Sequence, residues 1–208
     1  PATVTNSFFG IPIRGTRVVF VVDRSGSMKF PMSGEAYGED ADRIDAAKKE
    51  LLRAIDTMGG NAMFNMVTFS NRAEVWQKKL IPANAGNKKR FVKSVGKMIA
   101  DGGTNTWAAM QAAFDIKTLK FGARYDSSVD EIFVLSDGMP SVGDVVDAKE
   151  ILELVRETNL SANVRINTVY IADELTENDR QSRGRAGMSG ERFMKLLAEQ
   201  NGGKAIKL

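Results

Sequence analysis

The sequence predicts an α/β protein with a doubly wound, Rossmann-like central sheet, mostly parallel, with one antiparallel edge strand and helices on both faces. Three observations carry that expectation: short, nearly all-apolar runs recur along the chain, amphipathic helical patterns separate them, and Gly, Asn or Asp punctuates the junctions. Strands apolar on both sides belong in the middle of a sheet between two helical layers, and strand–helix alternation makes that sheet parallel.

Residues 1–16 are read as a lead-in, and residues 17–208 as the domain itself. The opening PATVTNSFFGIPIRG has neither a basic start nor a long apolar stretch, so no signal-peptide pattern is visible. Residues 17–22 (RVVFVV) form the first buried strand. Ile44, Ala47, Leu51, Ile55 and Met58 then repeat at three- and four-residue spacing and stop at Gly59-Gly60, which predicts an amphipathic helix. Residues 62–69 (AMFNMVTF) are the next strand. The brief AEVW run at 73–76, after the polar turn Ser70-Asn71-Arg72, fits an antiparallel edge hairpin. Phe91, Val95 and Met98 mark a second helix, and Trp107 to Phe114 a third. Strands follow at 131–136 (EIFVLS) and 164–171 (VRINTVYI), separated by a helix on Ala148, Ile151, Leu152 and Val155 whose start pairs Asp147 with Glu150 as a capping box. Phe193, Leu196 and Leu197 place a closing helix before Gly202-Gly203, and KAIK at 204–207 is a short last strand. The longest irregular stretches, 29–42 and 173–189, should be surface loops.

A chain of 208 residues, 43% hydrophobic and 26% charged, suits one large core. No apolar run approaches the ~20 residues of a membrane-spanning helix, so this domain is not expected to insert into a membrane. With no Cys there is no disulfide framework, no Cys-ligated zinc site and no thiol nucleophile. The absence of His removes both the usual base of serine hydrolases and the commonest transition-metal ligand. Any bound metal must therefore be held mainly by oxygen, which favours Mg²⁺, Ca²⁺ or Mn²⁺. A net charge of +3 does not call for a nucleic-acid partner, and none is expected. The seven basic residues at 78–97, with no acid among them, read as a solvated helix face and its preceding loop.

In doubly wound sheets ligands gather at the carboxyl ends of the parallel strands, so the residues after each strand carry the most information. Asp23-Arg24-Ser25-Gly26-Ser27 follows the first strand, Gly102-Gly103-Thr104-Asn105-Thr106 precedes the third helix, and Ser136-Asp137-Gly138 closes the strand at 131–136. Asp23, Ser25 and Ser27 alternate in a turn and can aim three oxygens at one place, while Thr104 and Asp137 can approach from neighbouring loops. Two carboxylates and three hydroxyls suit a small hard cation, which demands near-octahedral geometry at about 2.0–2.1 Å in the case of Mg²⁺.

D-x-S-x-S followed by G-G-T-N-T and S-D-G, each on the proper side of a predicted strand or helix, resembles the pattern of von Willebrand factor A domains, and the resemblance runs from RVVFVVDRSGSM to QNGGKAIKL. It implies a metal-ion-dependent adhesion site in which Ser25 and Ser27 are direct ligands, while Thr104, Asp23 and Asp137 bind directly or through water. Mg²⁺ is the implied ion, with Mn²⁺ or Ca²⁺ as alternatives. The remaining coordination position goes to an Asp or Glu of a protein partner, and the resemblance couples ion movement to the closing helix at 191–200. The opening FFGIPIRGTRVVFVVDRSGSM is similar to bacterial proteins that carry this module within larger chains, which favours a modular parent and an extracytoplasmic or cell-envelope setting.

Other features have plainer readings. Trp76 and Trp107 are expected in packing, the acidic cluster Glu35, Glu39, Asp40 and Asp42 in a solvated loop rather than a second cation site, and Arg180, Arg183 and Arg185 in a basic surface loop. The rival function is a metal-dependent phosphoryl-transfer or hydrolytic enzyme on a similar sheet. A haloacid dehalogenase-type phosphatase needs a second carboxylate two residues after the first, where this chain has Ser25. A P-loop is absent, and no His can activate a serine.

Overall fold

The computed structural model describes residues 6–32, 41–116, 129–171 and 188–208. Glu35, Glu39, Asp40, Arg180, Arg183 and Arg185 lie outside them, as does much of the two long loops.

Strand β3 (Arg17–Asp23) forms the centre of the sheet because every residue from Val18 to Asp23 is buried, with side chains alternating between two cores. Phe20 and Val22 face one helical layer, Val19 and Val21 the other. Parallel neighbours lie on both sides: β4 (Met63–Phe69) pairs Arg17 with Met63 through Asp23 with Phe69, and β7 (Glu131–Ser136) pairs Val18 with Glu131 through Val22 with Leu135. Beyond β7 come β8 (Arg165–Tyr170) and β9 (Ala205–Lys207), both parallel. The far edge is antiparallel, as expected, but is built from two pieces. β5 (Ala73–Val75) pairs with the end of β4, and β6 (Ile81–Pro82) with its beginning. The two-residue β6 leaves too short a pattern to read, and its Pro is tolerated because it lies on an edge.

Helices α1 (Arg43–Thr57) and α2 (Ala85–Val95) cover the first face with Leu51, Ile55 and Phe91. Helices α3 (Thr106–Phe114), α4 (Ala148–Ala162) and α5 (Gly190–Glu199) cover the second with Met110, Val155 and Phe193. Side-chain caps start four of the five α-helices among the described residues: Asn84, Asn105, Asp147 and Ser189 each accept from a backbone N–H in the first turn. At the capping box expected for α4, Asp147 accepts from both Lys149 and Glu150 at 2.9 Å. Helix α2 ends earlier than its apolar pattern, and Met98 is buried from the loop that follows.

The described part of the lead-in, residues 6–16, belongs to the packed body. Strands β1 (Ser7–Phe8) and β2 (Ile11–Pro12) form a hairpin whose turn has positive φ at Phe9 and Gly10, 46° and 80°. Phe8 is fully buried, its ring centroid 5.1 Å from Phe20 and 5.6 Å from Phe133. Where the lead-in meets β3, the start of β7 clamps it. Glu131 Oε2 accepts from the N–H groups of Arg14 and Gly15 at 2.8 Å, and Asp130 bonds Thr16 and the backbone and guanidinium of Arg17. Trp76 packs against Phe64 and Phe91 and donates its indole N–H to Ser94, and Trp107 packs against the second core. Among the described residues no helix is long and apolar enough to cross a membrane.

Candidate metal centre

The sheet's carboxyl edge gathers the loops the sequence points to. The peptide after β3 is pinned between two neighbours: Arg24 N–H donates to the Phe69 carbonyl at 2.8 Å, Gly26 N–H to Gly102 at 2.8 Å, and Asp101 N–H to Arg24 at 2.7 Å. These bonds lay the glycine-rich loop of Thr104 against the Asp23 turn. A one-turn 3₁₀ helix, Gly26–Lys29, then carries Ser27 forward.

Within that cradle four of the five expected residues form one hydrogen-bonded chain. Asp23 Oδ1 accepts from Ser25 N–H at 2.7 Å, and its Oδ2 from the Ser136 hydroxyl at 2.5 Å. Ser27 Oγ donates to Asp137 Oδ1 at 2.8 Å and stands 3.1 Å from Ser25 Oγ. Because the single Ser27 proton is committed to Asp137, Ser25 is the donor in the serine pair. Thr104 is buried in the loop laid against the Asp23 turn and held through its backbone, whose N–H donates to Ser141 Oγ at 2.9 Å while its carbonyl accepts from Ser141 N–H at 2.9 Å. Its hydroxyl donates to none of the other four.

Electrostatics sets this cluster apart from an ordinary strand end. Asp23 is fully buried, and desolvation together with the nearby Asp137 charge pushes its carboxyl from 3.8 up to about 7. Burial also raises Asp137, against the pull of hydrogen bonds from Arg43 and Ser27. Arg43 Nη1 reaches Asp137 Oδ2 at 2.7 Å.

These features fit a hard cation. Two carboxylates held with too little compensating charge, and hydroxyls whose protons go to a neighbouring hydroxyl or carboxylate, leave oxygen lone pairs for a positive ion. Among the described residues no group of three or more His, Cys, Asp or Glu side chains gathers to hold a metal, and this cluster offers two carboxylates with hydroxyls in place of a third.

Sequence reading missed the supports of the site. Ser136 lies inside the S-D-G triplet, so its place was visible although its bond to Asp23 was not. Asn71 Oδ1 accepts from Gly103 N–H at 2.7 Å, and the Asn105 amide donates to the Asn71 carbonyl at 3.2 Å. Asn71 occupies the turn read only as a hairpin signal. Arg43 comes from the start of α1, twenty residues from Asp23, and no local pattern announces it.

A doubly wound sheet with an oxygen-donor cluster at its carboxyl edge defines a Rossmann-like domain with a candidate cation site. The family model of the von Willebrand factor type A domain matches residues 18–197, and the chain belongs to that family. Among curated relatives, inter-alpha-trypsin inhibitor heavy chain H4 of Homo sapiens is 31% identical over 150 residues, which is 71% of this chain and 15% of the relative. The chain thus spans a small part of the length of that relative. Among solved structures, the von Willebrand factor type A protein from Catenulispora acidiphila superposes with a TM-score of 0.65 at 19% identity, covering 92% of this chain and 38% of that one. BatB from Bacteroides thetaiotaomicron gives 0.60 at 19% identity, covering 92% and 89%. At such identities the likeness speaks for the fold alone.

Proposed function

We propose that the domain is a divalent-cation-dependent protein-binding module with a metal-ion-dependent adhesion site on Asp23, Ser25, Ser27, Thr104 and Asp137. The observation that carries this reading is the linked cluster at the sheet edge, where two buried carboxylates with raised pKa values share one hydrogen-bond chain with two serine hydroxyls. Mg²⁺ fits the small, mixed carboxylate and hydroxyl donor set, with Mn²⁺ or Ca²⁺ as alternatives. When bound, such an ion supplies a Lewis-acidic position for an Asp or Glu side chain of a protein partner. The chain's own residues do the rest: Ser136 and Ser25 fix Asp23, Ser27 and Arg43 orient Asp137, and Ser141 holds the Thr104 loop.

The family and the small share of the relatives' length that the chain spans support a place within a larger modular protein, and we favour an extracytoplasmic or cell-envelope setting. The packing of the hairpin supports treating residues 6–16 with the domain when boundaries are chosen. A phosphoryl-transfer or hydrolytic reading is less favoured, because a serine stands two residues after Asp23 and its hydroxyl is engaged within the cluster.

Isothermal titration of the domain with Mg²⁺ or Mn²⁺ tests the reading. One site, lost in Asp137→Ala, is the expected result. A stoichiometry near zero for both ions, or an undiminished Asp137→Ala variant, overturns it.

A further inference from the structure

The geometry points to Arg43 as a built-in counter-cation of this site, a positioning residue that loosens the hold on a divalent ion and links its full uptake to the arrival of a carboxylate. The inference rests on the metal-site reading above and adds to it what limits the ion's affinity and favours an acidic partner.

Arg43 sits where a cation is costly. It is the first residue of α1, where the helix macrodipole disfavours positive charge, and its side chain is only 12% exposed. Its Nε is buried and finds no acceptor among the described residues. Two contacts offset these costs: the 2.7 Å bond from Nη1 to Asp137 Oδ2, and the ring of Phe30, whose centroid lies 5.5 Å from the guanidinium carbon. Both keep the charge against the site, and Phe30 is itself 58% exposed, so its ring is not placed there by core packing.

Charge balance gives the consequence. With both carboxylates ionised, Asp23 and Asp137 supply two negative charges, and Arg43 offsets one of them. A divalent ion then leaves the cluster one charge positive, and a single incoming carboxylate restores neutrality. Without Arg43 the two aspartates alone neutralise the ion, so metal is held more tightly and a carboxylate gains less. In a partly buried site such a change outweighs solvent screening.

The experiment measures Mn²⁺ affinity of the wild-type domain, Arg43→Gln and Arg43→Lys by titration calorimetry at about pH 8, well above the ordinary carboxylate range. Each series is run with chloride and with acetate at matched ionic strength, and folding is checked by circular dichroism. Arg43→Gln should bind Mn²⁺ about tenfold tighter than wild type. Acetate should tighten Mn²⁺ binding in wild type and less in Arg43→Gln. Arg43→Lys, which keeps the charge, should stay near wild type. Equal or weaker Mn²⁺ binding in a folded Arg43→Gln overturns the proposal, as does an acetate effect unchanged by the substitution. Equal tightening in Arg43→Lys also overturns it, and Arg43→Met takes the place of Arg43→Gln if that variant does not fold. Absence of Mn²⁺ binding in wild type and both variants overturns the metal-site reading itself, which separates the two failures.

Discussion

At Asp23 the cost of the site is borne by one side chain, whose carboxyl binds its proton more tightly in the folded state than at the ordinary 3.8. A raised acidic pKa favours the fold most at low pH, and that contribution is lost as pH rises from about 4 through about 7. Asp137 acts in the same direction, whereas Asp130, held below its ordinary value by Arg17 and Thr16, loses its contribution only as pH falls further. In chelator, the melting temperature should therefore decline between about pH 4 and pH 7.5 by way of the site. Asp23→Asn should flatten that decline, and saturating Mg²⁺ should reverse it at the upper end by mass action. Melts followed by circular dichroism check this; a profile that Asp23→Asn leaves unchanged would place the effect elsewhere. The five oxygen donors were legible in the sequence because each directly follows a strand or precedes a helix. Arg43, Asn71 and Ser141 were not, since their roles arise only when loops distant in the chain are folded together.

Element boundaries show how far local pattern reaches. Strands β3, β4, β7 and β8 fall within a residue or two of their apolar runs, because a strand buried on both faces has no other composition available. The β1–β2 hairpin escaped notice because two residues per strand are too few to show alternation, and its worth lies in Phe8 packing on rings 12 and 125 positions away. Phe8→Ala should cost about 3–5 kcal/mol in chemical denaturation. A loss under about 1 kcal/mol would mean the hairpin is peripheral. The turn into β9 holds a second hidden constraint. A Cβ at Gly203 would lie 1.8 Å from the Ile166 carbonyl oxygen, so Gly203→Ala must push the last strand off β8. We expect at least about 2 kcal/mol of destabilisation, with amide exchange of β8 and β9 accelerated before that of β3.

Across the whole molecule, sheet order was the part sequence could not give: alternation fixes parallel pairing, but the arrangement β5-β4-β3-β7-β8-β9 depends on which crossovers pack, a non-local choice. That order brings the three loops that carry the candidate ligands to one edge. Once a partner is in hand, chelation should abolish its binding, and Thr104→Ala should weaken partner binding more than metal uptake, because the Thr104 hydroxyl stands outside the hydrogen-bond chain of the other four. Binding that persists in excess chelator would move attention to the basic stretch at 78–97. The clamp on the lead-in has a mechanical consequence. Tension applied through the amino-terminal side first meets the hairpin and the bonds to Asp130 and Glu131, then runs along β3. Parallel ladders flank that strand on both sides, so the load shears two rows of hydrogen bonds together instead of unzipping one. The far end of the same strand is Asp23, and a domain tethered by its lead-in therefore carries its candidate cation site in line with the pull.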